Sequence, residues 1–192
     1  MTPRLLFVAH RVPYPPDKGE RLRAFHQLHA LSRSFRVTLA APVCAPAEAA
    51  AAEALRERCE NVLLARAGGR RGWLRATAGA LRGRSLSEGY FASGQLGRQI
   101  HSAGPYDLAV GCCSSMLGQL LAAPAAACVL DLVDVDSAKW RDYVAESRLP
   151  RRWIYQREAR AVARRERQAL QRCDAVAVVS QPEADLLSGG PA

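Results

Sequence analysis

The chain has 192 residues, of which 49% are hydrophobic, and this is enough to form one ordinary domain with a complete core. No apolar run is long enough to cross a bilayer, and the first residues lead directly into a predicted strand, so we expect neither a membrane span nor a signal peptide. The formal net charge of +9 comes almost entirely from arginine and favours an anionic partner, such as a phosphate group, a lipid surface or nucleic acid. The arginines cluster at Arg66 to Arg84 and at Arg148 to Arg172, and the alternative for each cluster is an ordinary solvated helix face.

Short apolar segments alternate along the chain with segments in which apolar residues recur at helical spacing. Strands are predicted at Arg4–Ala9, Phe35–Ala41, Asn61–Leu64, Asp107–Gly111, Ala127–Val133 and Asp174–Val179. Helices are predicted at Glu20–Arg33, Pro46–Cys59, Gly72–Arg82, Gly94–Ala103, Ser115–Ala122, Ser137–Glu146, Arg151–Arg172 and Gln181–Leu187. The alternation predicts an α/β fold with a doubly wound, mostly parallel sheet: one Rossmann-like domain over residues 1–188, with a linker beginning at residues 189–192.

The cysteines show no pattern typical of a metal site. There are six, at positions Cys44, Cys59, Cys112, Cys113, Cys128 and Cys173. None belongs to a CxxC pair or has a histidine at zinc-ligand spacing, so we predict no metal and favour reduced, buried thiols in a cytosolic protein. A catalytic cysteine stays open as an alternative, although the sequence places no activating histidine beside one.

The loop after the first predicted strand is a candidate anion site. Neither GxGxxG nor a Walker A pattern follows the strand, which removes the main support for a dinucleotide or ATPase site. Gly19 begins a predicted helix, where free backbone N–H groups can receive a phosphate or carboxylate. Three basic side chains add positive charge nearby: Lys18, Arg21 and Arg23. The alternative is that the prolines and Gly19 only shape a tight loop.

Three acids follow one another where the fifth predicted strand ends. Asp131 lies within the strand, so its carboxylate needs partners when buried. Asp136 and Ser137 are predicted to cap the next helix, which makes Asp134 the better functional candidate, facing the crevice. Two acids in a DxD pattern are a weak signal for a metal, and no metal is predicted.

Two later features are predicted to be structural. Ser180 is predicted to cap the last helix, with Glu183 as its capping-box partner, although its place at a strand end also puts it beside the crevice. Tyr155 and Glu158 lie three residues apart in a predicted helix and are expected to form a hydrogen-bonded pair.

The segment from Gly72 to Arg84 combines an apolar face with arginine. Trp73, Leu74, Ala78 and Leu81 share that face, and charge comes from arginines that include Arg70, Arg71 and Arg75. Such a helix can lie on an anionic membrane surface, or it can be an ordinary domain helix whose apolar face packs on the sheet.

Three stretches of the chain together resemble the bacterial sugar transferases associated with exosortase (PEP-CTERM) exopolysaccharide systems, which belong to the retaining GT-B glycosyltransferases. These stretches run from Val8 to Glu20, from Leu130 to Trp140 and from Trp153 to Arg160. A fourth, from Ala175 to Leu187, is similar to the last strand and helix of the N-terminal domain across that group. The resemblance covers nearly the whole chain in order, and its first two motifs are the most specific.

The resemblance implies the acceptor-side half of an enzyme that moves a sugar from a nucleotide-sugar, a substrate rather than a cofactor, to a lipid-linked or polysaccharide acceptor in exopolysaccharide synthesis. It implies a cytoplasmic location, with a peripheral position on the inner face of the cell membrane. It places Gly19, with Lys18 and Arg21, near the donor phosphates. Asp134 is the implied catalytic residue, near the acceptor hydroxyl or the reacting sugar, although many relatives have a histidine around this strand end. The implied acceptor-binding residues are His10, Asp136, Lys139, Trp140 and Ser180.

In such enzymes a second Rossmann-like domain binds the nucleotide-sugar, and this chain ends at Ala192, where a relative would cross to that domain. We therefore expect little or no transfer by the chain alone, since catalysis needs both substrates in one cleft. An alternative is a non-catalytic module of the same fold that binds an anionic glycan or a lipid phosphate. A nucleic-acid partner is not predicted, because the sequence has no aromatic stacking set or recognised motif to accompany its charge.

Overall fold

The computed structural model describes residues 2–17 and 19–189. Its strands are β1 (Arg4–Val8), β2 (Arg36–Val43), β3 (Asn61–Arg66), β4 (Tyr106–Cys112), β5 (Ala125–Val133) and β6 (Ala175–Val178). Its α-helices are α1 (Gly19–Leu31), α2 (Pro46–Ala51), α3 (Gly69–Leu81), α4 (Leu86–Phe91), α5 (Gly94–Ala103), α6 (Leu117–Leu121), α7 (Asp136–Glu146), α8 (Arg151–Arg172) and α9 (Gln181–Leu187). Two short 3₁₀ turns cover Ala52–Leu55 and Ser114–Met116.

The six strands form one sheet in the order β3-β2-β1-β4-β5-β6, and every neighbouring pair is parallel. The predicted α/β class and doubly wound architecture are confirmed. The strand order reverses between β1 and β4, so the connections after these two strands diverge and leave a crevice at their carboxyl ends. This edge of the sheet is where a ligand site is expected.

The core consists of two apolar layers, one on each face of the sheet. Successive residues of β1 alternate between them: Leu5 and Phe7 pack with Leu28 of α1, while Leu6 and Val8 pack on the other face with α5 and α6. All four of these strand side chains are completely buried. The central strand is therefore covered on both sides, which explains why β1 reads as a continuous apolar run.

Two helices differ from the sequence prediction. The helix predicted at Pro46–Cys59 stops at Ala51 and tightens into the 3₁₀ turn, which buries Leu55 before the chain enters β3. Helix α4 is not among the predicted helices, although Ser85 and Glu88 form an N-cap signature: the Glu88 N–H donates to Ser85 Oγ at 3.0 Å.

Among the residues that the structure describes, no helix combines the length and apolar character needed to cross a membrane.

Candidate functional site

Residues from the first and fourth strands meet at the crevice. His10 follows β1 and Cys113 follows β4, and Cys113 Sγ lies 3.4 Å from His10 Nδ1. On the other side of the imidazole, His10 Nε2 lies 3.5 Å from Glu20 Oε2 in the first turn of α1. The Phe91 ring meets the imidazole edge-on at a centroid distance of 5.8 Å. A thiol, an imidazole and a carboxylate therefore form a chain of contacts at the point where the strand order reverses.

Glu20 remains charged in this arrangement. Its hydrogen bond with His10 lowers the pKa of the Glu20 carboxyl to about 2, against the opposing effect of partial burial. A carboxylate can accept a hydrogen bond from an N–H group. Glu20 therefore favours the His10 tautomer that carries hydrogen on Nε2.

The carboxyl ends of β4 and β5 both contain backbone in the left-handed region. Within residues 2–17 and 19–189, the non-glycine residues with positive φ are Cys113, at 72°, and Val133, at 66°. Val133 lies in a γ-turn closed by the Asp134 N–H, which donates to the Leu132 carbonyl at 2.9 Å. Such a conformation costs on the order of 1–3 kcal/mol per residue and is found most often at functional sites.

Asp131 holds the strained segment in place. Its carboxylate is 2% exposed and accepts from Arg23 Nε at 2.8 Å and from the Val133 N–H at 3.0 Å. Gln27 of α1 also donates to it. The prediction that this buried carboxylate has partners is confirmed. Arg23 is correspondingly paired with a carboxylate, so the prediction that it adds positive charge beside the first loop is wrong.

The other two acids lie in different surroundings. Asp134 is exposed just beyond the γ-turn. Asp136 is partly buried, and burial together with the charge of Glu166 raises the pKa of its carboxyl to about 6. Ser114, directly after Cys113, places its Oγ 3.5 Å from Asp136 Oδ2. Of these two acids, Asp136 has the environment of a group that exchanges a proton near neutral pH.

The cap predicted for α7 is wrong. The helix begins at Asp136 itself, and the cap position is taken by Val135, which makes no side-chain cap bond. The Ser137 N–H instead donates to Glu166 Oε1 at 3.0 Å. Helix α8 packs along α7, so a carboxylate that is distant in sequence satisfies the amide that a local cap would have satisfied.

Ser180 caps α9 as predicted, with its Oγ accepting from the Glu183 N–H at 3.5 Å. In a capping box the Glu183 carboxylate would accept from the Ser180 N–H. Here Glu183 Oε2 accepts instead from the Val135 N–H, at 2.6 Å. Ser180 follows β6, the edge strand, and is exposed. β5 therefore lies between the strand before Ser180 and the β1–β4 crevice that holds His10.

Lys139 is exposed on α7, and Trp140 packs in an aromatic cluster. The Trp140 ring centroid lies 5.7 Å from that of Tyr143 and 5.5 Å from that of Tyr155. Glu158 is completely buried and accepts from the Leu86 N–H at 2.8 Å, at the start of α4. The predicted pair of Tyr155 and Glu158 is therefore wrong, because each side chain has a partner from another part of the fold.

The start of α1 is open. A Cβ built on Gly19 meets nothing within 4 Å, so the space over the first helical turn is free in the part of the chain that the structure describes. Arg21 does not point freely into that space: its guanidinium lies 3.2 Å from Asp17 and 3.1 Å from Glu48. Lys18, the third residue predicted to bind the donor phosphates, lies outside the described residues. Gly19 itself is exposed at the start of α1, which is the kind of position where backbone amides can receive an anion.

An open pocket of about 520 Å³ lies on the same edge of the sheet, at the carboxyl ends of β2 and β3. Its walls are mostly apolar and include Val43, Cys44 and Leu64, with Arg66 at the border. None of the site residues predicted from the sequence lines it.

Helix α3 presents its large apolar side chains outward. Trp73, Leu74 and Leu81 are 57%, 70% and 92% exposed, whereas Gly72 and Ala76 are buried. Of the two alternatives for this helix, the one in which the large apolar side chains pack on the sheet is wrong. Small residues form the inner face instead, because α3 packs closely on α4: a Cβ on Gly89 would lie 2.5 Å from Ala76 Cα. Arg70, Arg71 and Arg75 are exposed on the same helix.

The cysteines are less uniformly buried than predicted. All six cysteines are free, but only Cys59 and Cys112 are buried, and the other four are partly exposed. The proximity of His10 and Cys113 was missed because it depends on β1 lying beside β4. The sequence does hold a signal for it. In a doubly wound sheet β1 lies beside β4, and His10 and Cys113 each come directly after one of these strands.

Within the described part of the chain, no group of three or more histidine, cysteine or acidic side chains is arranged to hold a metal ion. No protein-family model matches the sequence, and no curated protein matches it.

Proposed function

We propose that this chain is the acceptor-binding half of a retaining glycosyltransferase of the GT-B kind, which moves a sugar from a nucleotide-sugar to a lipid-linked or polysaccharide acceptor in exopolysaccharide synthesis. The observation that carries the proposal is that two separate motif segments, the loop of His10 and Glu20 and the acidic segment of Asp134 and Asp136, lie at the same carboxyl edge of the sheet. In doubly wound folds this edge is where ligands bind.

The exposed start of α1 supports a role in binding the donor. Gly19 is exposed and a Cβ built on it meets nothing within 4 Å, and the positive end of the helix dipole favours a diphosphate brought to it. In this proposal a second domain carries the nucleotide-sugar and presents its phosphates to Gly19. Lys18 and Arg21 are assigned to the same phosphates, and Arg21 would have to exchange its contacts with Asp17 and Glu48 for them.

The acidic segment supports a role in binding the acceptor. Asp134 is exposed at the end of the strained turn, where its carboxylate can accept a hydrogen bond from the acceptor hydroxyl. Asp136 lies behind it with a pKa near 6, which suits transient uptake of a proton. His10, Lys139, Trp140 and Ser180 complete the proposed acceptor set, with Ser180 at its outer border.

The test is a turnover assay of the chain joined to a GT-B nucleotide-sugar domain, using a panel of nucleotide-sugars and polyprenyl-diphosphate-linked sugars as acceptors. We expect sugar transfer, with Asp134→Asn lowering kcat by about 100-fold because an acceptor contact is lost. Asp142→Asn, a conservative change on the exposed side of α7, is the matched control and should leave kcat unchanged.

Two outcomes would contradict the proposal, one in the turnover assay and one in a binding measurement. Robust transfer by residues 1–192 alone would show that no second domain is needed. Absence of any acceptor binding, measured by chemical-shift changes at the carboxyl edge, would remove the acceptor role and favour a module that binds an anionic glycan or lipid phosphate without catalysis.

We also propose that the chain binds an anionic membrane surface through α3. The exposed aromatic and aliphatic side chains beside Arg70, Arg71 and Arg75 are the observation that favours this second role. Trp73 would enter the headgroup region while the arginines meet lipid phosphates.

A further inference from the structure

One reactive side chain has no role in the proposed sugar transfer: the thiol of Cys113, which lies beside His10 of the proposed acceptor set. The thiol of Cys113, the imidazole of His10 and the carboxylate of Glu20 stand in line, with separations of 3.4 Å and 3.5 Å. A nucleophile, a base and a group that orients the base are the three parts of a nucleophilic relay. Their contacts in unliganded enzymes are often looser than in the reacting complex, and these separations lie in that range.

The orientation of the imidazole suits the transfer of a proton from sulfur. With hydrogen on Nε2, the atom that lies 3.5 Å from Glu20 Oε2, the lone pair of His10 is on Nδ1, which faces Cys113 Sγ. The Glu20 carboxylate, whose pKa is lowered to about 2, also stabilises the imidazolium that forms when Nδ1 takes a proton.

The thiol depends on this base. Burial raises the pKa of Cys113 well above its ordinary value, so the resting side chain is the thiol and not the thiolate. A protonated sulfur becomes nucleophilic only if the proton leaves as the new bond forms, which is what a base at hydrogen-bond distance provides. Cys112 offers an internal comparison, because its sulfur faces Gln27 Oε1 at 3.7 Å and not a histidine. Cys112 lies in the core layer that includes Leu28 of α1.

The position of Cys113 is also that of a site residue. It lies between a parallel strand and a 3₁₀ turn, at the reversal of strand order, with φ of 72°. Its backbone is held by the bond from its own N–H to the Asp131 carbonyl at 2.8 Å. The residue is partly exposed at the crevice, while its thiol is largely buried, so the sulfur can be reached only by a small electrophile.

We propose that Cys113, His10 and Glu20 form a nucleophilic triad that accepts an acyl group from an activated ester or thioester. The S–H proton passes to His10 Nδ1 while sulfur attacks the carbonyl carbon. The bond from that carbon to the leaving oxygen or sulfur then breaks, and the leaving group takes the proton from Nδ1. The product is a thioester on Cys113 and a free alcohol or thiol. This activity goes beyond sugar transfer and does not depend on it.

The experiment uses p-nitrophenyl acetate as the probe and the complete 192-residue chain. We expect a burst of p-nitrophenolate of about one equivalent per chain, and peptide mass spectrometry after acid quenching should place one acetyl group on Cys113. His10→Gln should slow acylation by about 100-fold because the base is lost, and Glu20→Gln by about 10-fold because the tautomer is no longer held.

Two variants remove the nucleophile in different ways. Cys113→Ala deletes the sulfur, and Cys113→Gly deletes it while suiting a positive φ, so at least one should fold with the wild-type far-ultraviolet circular dichroism spectrum. Both should abolish the burst. Cys128→Ala removes another partly exposed thiol, within β5; it is the matched control and should retain the burst.

Three outcomes would overturn the proposal. The first is a burst that persists in Cys113→Gly. The second is acetylation spread over several cysteines at the rate of a free thiol. The third is an unchanged rate in both His10→Gln and Glu20→Gln.

Discussion

Two carboxyl groups at the carboxyl edge of the sheet have pKa values displaced in opposite directions. Glu20 is partly exposed and accepts a hydrogen bond from His10, which lowers its pKa to about 2. Asp136 is mostly buried near the carboxylate of Glu166, and burial raises its pKa to about 6. When the pKa values of two carboxyl groups in one site are shifted in opposite directions, one group stays charged while the other can exchange a proton. Glu20 is thus suited to hold a charge, and Asp136 to gain and lose a proton.

We predict that Asp136→Asn alters the pH dependence of stability. In wild type, the folded state keeps a proton on Asp136 between its ordinary pKa of 3.8 and about 6, while the unfolded state has released it. Stability therefore falls as pH rises through this window, by about 2 kcal/mol once partial exposure is allowed for. The asparagine variant lacks this fall, so its advantage should grow from near zero at about pH 4 to about 2 kcal/mol at about pH 7.

Urea unfolding across that pH range measures the difference. Asp142→Asn is the control, since it replaces an exposed carboxyl group on the same helix. A constant offset between wild type and Asp136→Asn at every pH would contradict the assigned environment of the carboxyl group.

Helices in this fold are positioned by contacts that arise far along the chain. The start of α4 is capped by Glu158 of α8, and the start of α7 is capped by Glu166 of the same helix. Helix α8 thus supplies two buried carboxylates to two helix N-termini, where the helix dipole favours negative charge. Helix α3 is fixed differently, by close packing of small residues on α4.

We predict that Gly89→Ala destabilises the protein by about 1–3 kcal/mol, because the new methyl group would lie 2.5 Å from Ala76 Cα and must push α3 away from α4. The measurement is the free energy of unfolding in urea. Gly94→Ala is the matched control: a Cβ there meets only the end of the flexible Arg98 side chain, at 3.7 Å. Equal stability of the two variants would show that α3 and α4 are not closely packed.

The surface of the whole molecule combines a net charge of +9 with exposed apolar side chains on one helix. Charge alone attracts any polyanion, whereas exposed tryptophan and leucine add affinity for an apolar phase. The arrangement on α3 is the basis of the proposed binding to an anionic lipid surface.

We predict that the chain sediments with vesicles of phosphatidylglycerol and phosphatidylcholine but not with phosphatidylcholine alone. Changing Arg70, Arg71 and Arg75 together to Glu should lower the bound fraction at least 10-fold, because attraction becomes repulsion. The control changes Arg33, Arg98 and Arg141 to Glu, which alters the net charge equally at scattered exposed positions. Equal loss in both triple variants would assign the binding to net charge and not to α3.

Much of the fold was predictable from the sequence, because the signals for it are local. All six strands and the parallel α/β class follow from apolar runs such as Arg4–Val8 and from the helical spacing between them. The cap at Ser180 is likewise local, joining residues three apart. The candidate site was predicted only in part: the two loops were found, but not the side chains that face one another.

Contacts between distant segments account for the rest. Arg23 pairs with Asp131, which lies 108 residues away, and Cys113 meets His10 across 103 residues. Neither contact follows from spacing along a strand or helix, since each needs the order and register of several strands. The choice between the two alternatives for α3 also needed such contacts, because hydrophobicity favours burying Trp73 while the fit of Gly89 against Ala76 brings the small residues inward. Local patterning thus determines the elements and their class, and packing between distant segments determines which side chains meet at the crevice.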